Sequence, residues 1–324
     1  SQEASRELTR RRRPAAPLPA RAGVDATRVV LRWGPERTVG ECLLAMPALA
    51  GCTFDDLAER ATAGELVDAD GVPVDPGMPA RLNTSVYLYR DLPDETPIPF
   101  ELPILYRDDA IVVVDKPHFL ATMPRGRHVT QTALVRLRRE LGTDLVSPAH
   151  RLDRLTAGGL LFTLRPEVRA AYQALFAQRL AEKEYRALAA ARADLVESVT
   201  VTNRIEKTAG DLRARVVDGE INASSTITLL EEGDAGGIYR LQPHTGRTHQ
   251  LRMHMAQLGV GIVGDPLYPE VRPELAQLPD QGDFSQPLRL VAHSLAFDDP
   301  LTGEWREFVS GRSVLPSVDN PLVE

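Results

Sequence analysis

The pattern of apolar and polar positions predicts runs of strands with few helices between them. Apolar and polar residues alternate well enough to predict strands at 184–191, 199–206, 213–217, 223–231 and 237–242. Shorter apolar runs predict further strands at 104–106, 111–114, 159–164, 291–297 and 305–309. Helices are predicted at 130–141, 166–180 and 248–258. Strands grouped in this way favour an α+β fold, with a mixed, mostly antiparallel central sheet and flanking helices.

The chain before residue 98 has a different pattern and divides into an arm and a small module. Residues 1–27 are rich in Arg and Pro with little apolar periodicity, which predicts a flexible arm. Residues 28–97 predict two short helices, 39–46 and 54–63, a hairpin over 65–74 that turns at Asp70-Gly71, and a strand at 86–88. A proline-rich linker is predicted at 91–103, and residues 98–324 form the larger domain.

The net charge of the whole chain argues against a nucleic-acid partner, but the distribution of charge along the chain favours one. The 324 residues carry 38 Lys and Arg against 45 Asp and Glu, a formal charge of −7. Residues 123–192, however, hold 13 basic and 6 acidic residues, whereas residues 33–97 hold 4 and 12. Because salt screens charges beyond roughly 8 Å, each stretch acts locally. The basic stretch is therefore predicted to face phosphates, and the acidic module is not.

The number of cysteines and the length of the apolar runs indicate the cellular compartment. Cys42 and Cys52 cannot crosslink a chain of this length, which predicts free thiols in a reducing compartment. No apolar run approaches the roughly 18 residues of a membrane helix, and the N-terminal residues lack the apolar core of a signal peptide. These features predict a cytoplasmic protein without a membrane partner, and a monomer is the default expectation.

Three segments carry candidate chemistry. HRLDRLTAGGLL places Asp153 between Arg151 and Arg154, whose positive charges favour the ionised carboxylate that a nucleophile needs. KEY places Lys183 and Tyr185 at the start of a strand. HTGRTHQLRMH runs from a glycine turn into a helix N-terminus, an arrangement that suits phosphate binding.

Each segment taken alone also fits a purely structural role. Asp153 is typical of a turn or a surface ion pair, and Tyr185 of a half-buried strand aromatic. His249 and His254 are five residues apart rather than four, and no Glu is placed as a general base, which disfavours a metal site. The imidazoles of His244, His249 and His254 are therefore predicted to be hydrogen-bonding or capping groups. No zinc, P-loop or dinucleotide motif is present, so neither a metal nor a cofactor is expected.

In order and spacing, these segments resemble the signature motifs of the RluA family of RNA pseudouridine synthases. The matching sequences are HRLDRLTAGGLLF, KEYRAL and PHTGRTHQLRMHMAQLGVGIVGDPLYP, preceded by LYRDDAIVVVDKPHFL. The resemblance covers about residues 100–310, and residues 28–97 loosely resemble an S4-like RNA-binding module. It implies the pseudouridine synthase fold and isomerisation of uridines to pseudouridine in ribosomal or transfer RNA, without cofactor. The N-terminal arm is then either a solvated tail or a tether to RNA.

The resemblance also implies roles for individual residues. Asp153 matches the catalytic carboxylate, which attacks the ribose C1′ or acts otherwise on the uridine. Tyr185 matches the tyrosine that stacks on the flipped base and takes part in removing the C5 proton. Arg252 matches the basic residue paired with the catalytic Asp, and Arg151 matches an arginine that fills the gap left by the flipped base. Further RNA-binding residues are predicted at Arg125, Arg127, Arg154, Lys183, Arg247 and His249. Flipping is needed because a stacked base is inaccessible, at a cost of a few kcal/mol that stacking and pocket contacts offset.

Two departures from the family pattern bear on the prediction. Ala157 stands where the family has Ser, and the lost hydroxyl is expected to weaken a local turn by about 1 kcal/mol. The chain as a whole is also far less basic than is usual for an RNA enzyme, which bears on the substrate more than on the chemistry. If the acidic N-terminal module is S4-like, it is predicted to have lost direct contact with RNA.

Two other functions compete with RNA isomerisation. An RNA-binding or folding-assistance protein with secondary or lost catalysis predicts equal cellular rescue by wild type and Asp153→Asn. A histidine-based metallohydrolase predicts bound metal.

Overall fold

The structure, a computed structural model, describes residues 16–316, and the chain divides into two compact units between Leu92 and Pro93. The boundary lies inside the predicted proline-rich linker. Along residues 16–316, none of the helices is long and apolar enough to cross a bilayer.

The N-terminal unit contains a three-stranded antiparallel sheet with two short helices. Its elements are β1 (Thr27–Val30), α1 (Val39–Leu44), α2 (Phe54–Thr62), β2 (Leu66–Asp68) and β3 (Ser85–Leu88), and the strand order is β1-β3-β2. Both helices begin at capping boxes, formed by Thr38 with Glu41 and by Thr53 with Asp56. These local hydrogen bonds explain why the helix starts were predictable from the sequence.

One feature of this unit differs from the sequence prediction, and one agrees with it. Part of the predicted arm lies outside the described residues, but residues 16–27 pack onto the unit: Leu18 and Val24 are buried, and the Tyr89 hydroxyl donates to the Pro19 carbonyl. The predicted hairpin over 65–74 is present with a short returning segment: the Asp68 amide donates to the Val72 carbonyl at 2.9 Å and the Val74 amide to the Leu66 carbonyl at 3.0 Å. The other edge of β2 pairs with β3.

The C-terminal unit is built on an 11-stranded mixed sheet. Its elements are β4 (Ile104–Arg107), β5 (Ile111–Lys116), α3 (Ala133–Leu141), β6 (Ser147–Pro148), β7 (Ala157–Thr163), α4 (Arg169–Ala177), β8 (Glu182–Ala189), β9 (Val199–Glu206), β10 (Arg215–Val217), β11 (Ala223–Gly233), β12 (Gly236–Pro243), α5 (Gln250–Gln257), α6 (Pro273–Gln277), β13 (Leu290–Asp298) and β14 (Trp305–Val309). The main path is β10-β9-β11-β12-β8-β13-β7-β5-β4, with β14 on β13 and β6 on β7. The predicted α+β class is confirmed, since β13 with β7 is the one parallel pair in the described sheet.

The helices of this unit start and stop where local chemistry requires. Thr132 caps α3, which ends at Gly142 in the left-handed conformation. The helix predicted from Pro166 is a 3₁₀ turn over 166–168 followed by α4, which ends at Ala177. The apolar faces of the sheet are buried against these helices, with Leu137 of α3 and Leu175 of α4 in the core.

The parallel contact between β7 and β13 depends on a glycine. Gly158 has φ +115°, and a Cβ built there would lie 2.2 Å from the Ala292 carbonyl oxygen. Only glycine fits this approach. It holds the start of β7, and therefore the loop that precedes it, against the centre of the sheet.

Candidate active site

A narrow pocket of about 140 Å³ brings the three predicted segments together. Its lining includes all three predicted catalytic side chains: Asp153 from the loop before β7, Tyr185 from β8 and Arg252 from α5. Four of the predicted RNA-contacting residues line it too, namely Arg151, Lys183, Arg247 and His249. The sheet order explains the convergence, because β7 and β8 both neighbour β13.

A second cavity of about 330 Å³ opens on the other side of the Asp153 loop. Arg125 and Arg154, both predicted to bind RNA, line it together with Asp153. Arg127, also predicted to bind RNA, lines neither cavity, and its guanidinium forms an ion pair with Asp280. In this structure the Arg127 guanidinium is therefore paired with the Asp280 carboxylate and does not face either cavity.

The Asp153 loop is fixed by side chains from one segment at the end of β5 and just after it. The Thr122 hydroxyl donates to the Leu152 carbonyl at 2.8 Å and accepts from the Leu152 amide at 3.1 Å. The Lys116 ammonium donates to the Arg154 carbonyl at 3.2 Å. Because the backbone is held on both sides of Asp153, the loop keeps its conformation independently of the contacts of the Asp153 side chain.

Lys116 and His118 complete this support, and the sequence did not predict their role. Lys116 is fully buried, and its ammonium also donates to the carbonyls of Pro117 at 3.1 Å and Leu120 at 2.6 Å. Burial lowers the pKa of Lys116, while the charge of Asp153 opposes that shift. Burial lowers the pKa of His118 to about 4, so the neutral ring donates from Nδ1 to the Leu155 carbonyl at 2.8 Å.

His249 is the residue that faces the Asp153 carboxylate. Its Nε2 lies 4.0 Å from Asp153 Oδ2, and its Nδ1 lies 2.9 Å from the Tyr268 hydroxyl. His249 adopts φ +57° at the start of α5 and makes no side-chain cap. Burial lowers its pKa to about 4 although the charge of Asp153 opposes this, so the ring is neutral at pH 7. The imidazole thus bridges Tyr268 and Asp153 instead of capping the helix.

Two substitutions at His249 test the contributions of its two ring nitrogens separately. Asn tolerates the left-handed backbone and can replace Nδ1 opposite Tyr268, whereas Gln can place an amide near the Nε2 position. If the group facing Asp153 orients the carboxylate, we expect His249→Asn to lower kcat by about tenfold and His249→Gln to lower it less. Single-turnover conversion of uridine in RNA at saturating protein measures both. Equal rates for the two variants would show that Nε2 does not orient Asp153.

Tyr185 presents its ring to the pocket from β8. It lies two residues from Lys183, so both side chains are on the same face of the strand. Burial, and then the charge of Asp153, raises the pKa of Tyr185. The phenol is therefore neutral at pH 7, which suits stacking on a base. It must lose its own proton before it can accept one from C5.

Arg252 corrects one sequence-based prediction. Its direct partner is Asp265, not Asp153: Nε lies 2.8 Å from Oδ2 and the terminal nitrogen 2.6 Å from Oδ1. The two side chains are 2% and 1% exposed. Burial acts to lower the pKa of Arg252, but the hydrogen bond and charge of Asp265, with a smaller contribution from Asp153, raise it overall. Arg252 thus supplies a fixed positive charge to the Asp153 pocket while paired elsewhere.

The loop before α5 is organised by Gln250, whose role the sequence did not reveal. Its side-chain oxygen accepts from the Thr245 hydroxyl at 2.6 Å and from the Arg247 amide at 3.1 Å. Its side-chain nitrogen donates to the Ser224 carbonyl at 2.9 Å and the Ser225 hydroxyl at 2.7 Å. Gln250 therefore ties the glycine turn to β11 and fixes the pocket wall that Arg247 occupies.

The three histidines of this segment bind different partners. His244 Nε2 lies 2.8 Å from the Thr226 hydroxyl, and His254 Nε2 lies 3.1 Å from Asn203 Oδ1, in addition to the His249–Tyr268 contact described above. The prediction that they are hydrogen-bonding groups is confirmed.

The structure also shows the surroundings of Ala157. This residue is the first of β7 rather than part of a turn, and it is fully buried. Its methyl group lies in an apolar cluster with Leu188, Val291 and Val314. Alanine suits this apolar position, and the weakened turn expected from the missing hydroxyl stays a prediction.

Comparison with known proteins identifies the family. Residues 110–257 match the family model described as RNA pseudouridylate synthase. The dual-specificity RNA pseudouridine synthase RluA of Pasteurella multocida is 31% identical over 222 residues, which cover 64% of this chain and 91% of that protein. The tRNA pseudouridine synthase C of the same organism is 34% identical over 215 residues, covering 62% and 87%.

A solved structure supports the fold. Human RNA pseudouridylate synthase domain containing 1 superposes with a TM-score of 0.50 at 24% identity, covering 68% of this chain and 92% of that chain. The sequence identities to these relatives and the shared fold point to the same family as the sequence motifs that meet in the pocket. This chain belongs to the RluA family of RNA pseudouridine synthases, enzymes that isomerise uridine to pseudouridine in RNA.

Proposed function

We propose that this chain converts specific uridines in ribosomal or transfer RNA to pseudouridine, with Asp153 as the catalytic carboxylate. The observation that carries the proposal is the convergence of Asp153, Tyr185 and Arg252 in one pocket. The names of the relatives, a dual-specificity RNA pseudouridine synthase and a tRNA pseudouridine synthase, support these two RNA classes.

In the proposed reaction the target uridine leaves the stack and enters the pocket. The bond between N1 and the ribose C1′ breaks, the base turns, and C5 bonds to C1′ while the C5 proton is lost and N1 gains one. Asp153 acts on the ribose, Tyr185 stacks on the base, and Arg252 contributes its positive charge. Arg151, which is exposed at the pocket, occupies the position that the base vacates.

The surrounding cations are proposed to bind the RNA backbone. Those that line the two cavities beside Asp153 include Arg125, Arg154, Lys183 and Arg247. Arg127 joins them if RNA displaces Asp280. The neutral imidazole of His249 is proposed to contact the RNA as a hydrogen-bonding group. Because the isomerisation involves neither electron transfer nor hydrolysis, no metal or organic cofactor is required. We further propose that the protein acts as a monomer in the cytoplasm.

Incubation of the purified chain with ribosomal and transfer RNA tests the proposal. We expect pseudouridine to appear at defined uridines without added cofactor, detected by base-resolution mapping against an untreated sample. If no uridine in either RNA class is converted, the proposed substrate class is wrong.

The acidic N-terminal module gives a separate prediction. Residues 33–97 hold 4 Arg against 12 Asp and Glu, so they repel phosphates. We expect a chain lacking residues 1–92 to bind substrate RNA at least as tightly at low salt as a chain lacking only residues 1–15. The second truncation controls for the arginines of the arm, and thermal unfolding verifies that each truncated chain is folded. Weaker binding confined to the longer truncation would show that the module contacts RNA.

A further inference from the structure

A separate cavity of about 520 Å³ lies directly beside the Asp153 pocket. The two share one wall, made of Lys183, Pro243, Thr245, Gly246 and Arg247. A chain of nucleotides whose target uridine occupies the Asp153 pocket can therefore continue across this wall without leaving the protein surface. We name the second space the flanking cavity.

Lys183 on the shared wall is a cation without a partner in the protein. Over residues 16–316, its ammonium forms neither an ion pair nor a hydrogen bond. Lys183 is only partly exposed, and burial lowers its pKa. Its charge also lowers the pKa of His150, after the larger effect of burial. A half-buried charge of this kind is stabilised when an anion binds.

The rest of the flanking cavity is also cationic. Arg247 uses its Nε on the Asn222 carbonyl, at 3.1 Å, and is otherwise exposed. Arg179 lines the cavity from the loop after α4 and is exposed. Glu182 is the single carboxylate in the lining, and its side chain is exposed as well. Three cations against one carboxylate give the lining a net positive charge, which suits a phosphodiester.

An aromatic side chain adds a surface for a base. Phe176 lines the flanking cavity, and one face of its ring stacks on His150, with centroids 4.1 Å apart and planes 18° apart. Phe176 is only partly buried, so some of the ring remains open to the cavity. Cationic side chains next to an aromatic ring are the combination that binds single-stranded nucleotides.

We propose that the flanking cavity binds the nucleotide next to the target uridine, with Lys183 and Arg247 on the phosphate that joins the two. The inference rests on the proposed function, because it requires the uridine to occupy the Asp153 pocket. It assigns these two cations to one defined phosphate instead of to the RNA backbone in general.

Pairing a protein charge change with the removal of one phosphate charge tests this assignment. An RNA that the wild-type chain converts is prepared with an uncharged methylphosphonate on one side of the target uridine, and then on the other. In the wild type we expect one of the two replacements to lower kcat/KM by about tenfold. In Lys183→Gln the same replacement should cost clearly less than in the wild type, about threefold, because one of the two partner charges is already gone and only Arg247 remains.

Two further variants complete the design. Lys183→Arg should keep the sensitivity to that phosphate, and Arg107→Gln, which removes an exposed charge from β4 at the far edge of the sheet, should behave like wild type. Equal methylphosphonate penalties in wild type and Lys183→Gln, on both sides of the uridine, would overturn the assignment even though the unmodified RNA is converted. If the wild type converts no RNA, it is the proposed function that fails.

Discussion

Replacing Asp153 by Asn is expected to abolish pseudouridine formation while leaving RNA binding unchanged. Asn has the same size but no charge and cannot act as a carboxylate nucleophile or base. The backbone bonds from Thr122 and Lys116 do not involve the Asp153 side chain, so the loop should keep its conformation. We expect the single-turnover rate to fall by at least about a thousandfold and the Kd for RNA to change by less than about twofold.

Asp109→Asn is the matched control for Asp153→Asn. Asp109 is exposed in the turn between β4 and β5 and lines neither cavity beside Asp153, so its variant should convert RNA at the wild-type rate. Conversion by Asp153→Asn at the rate of this control would remove Asp153 from the mechanism.

Arg252→Met is expected to damage both stability and catalysis. It leaves Asp265 as a buried carboxylate without its ion-pair partner, and breaking a buried pair in this way lowers the free energy of unfolding by about 3–5 kcal/mol. It also removes the positive charge that Arg252 contributes at the Asp153 pocket. We therefore expect a lower Tm and a severely reduced rate even at temperatures where the variant is folded.

A double variant separates these two effects. In Arg252→Met with Asp265→Asn neither charge of this ion pair remains, and the amide oxygen can still accept the Leu267 and Tyr268 amides that Asp265 accepts at 2.8 and 3.1 Å. Most of the lost stability should return, measured by thermal unfolding, while the rate stays low. Recovery of the rate together with stability would show that Arg252 acts only through the fold.

The parts of the fold that were predictable are those set by local pattern. The alternating segments that became β9 and β11 were visible because each strand buries one face. The pairing of β2 with β3 was not predictable, because it joins residues about twenty positions apart and no local turn specifies it. The packing of residues 16–27 was missed for the same reason: Leu18 and Val24 are isolated apolar residues in a stretch rich in Arg and Pro.

In the candidate site, the residues in sequence motifs were predictable and the residues that support them from distant parts of the chain were not. Asp153, Tyr185 and Arg252 lie in sequence patterns long enough to resemble a family, and the structure brings them into one pocket. Thr122 was not visible beforehand, because its bond to the Asp153 loop spans thirty positions. The partner of Arg252 was predicted wrongly because a sequence motif does not show which side chains are in contact. Asp265 lies in the same motif as Arg252, but the sequence assigned it no role.

The most direct test of function is pseudouridine mapping across the RNAs of the source cells, with and without this protein. Specific sites should vanish when the protein is absent and return with the wild-type chain but not with Asp153→Asn. Sites that persist in its absence would contradict the proposed activity. Rescue of both modification and growth by Asp153→Asn would contradict the catalytic role of Asp153, and rescue of growth alone would favour an RNA-folding role.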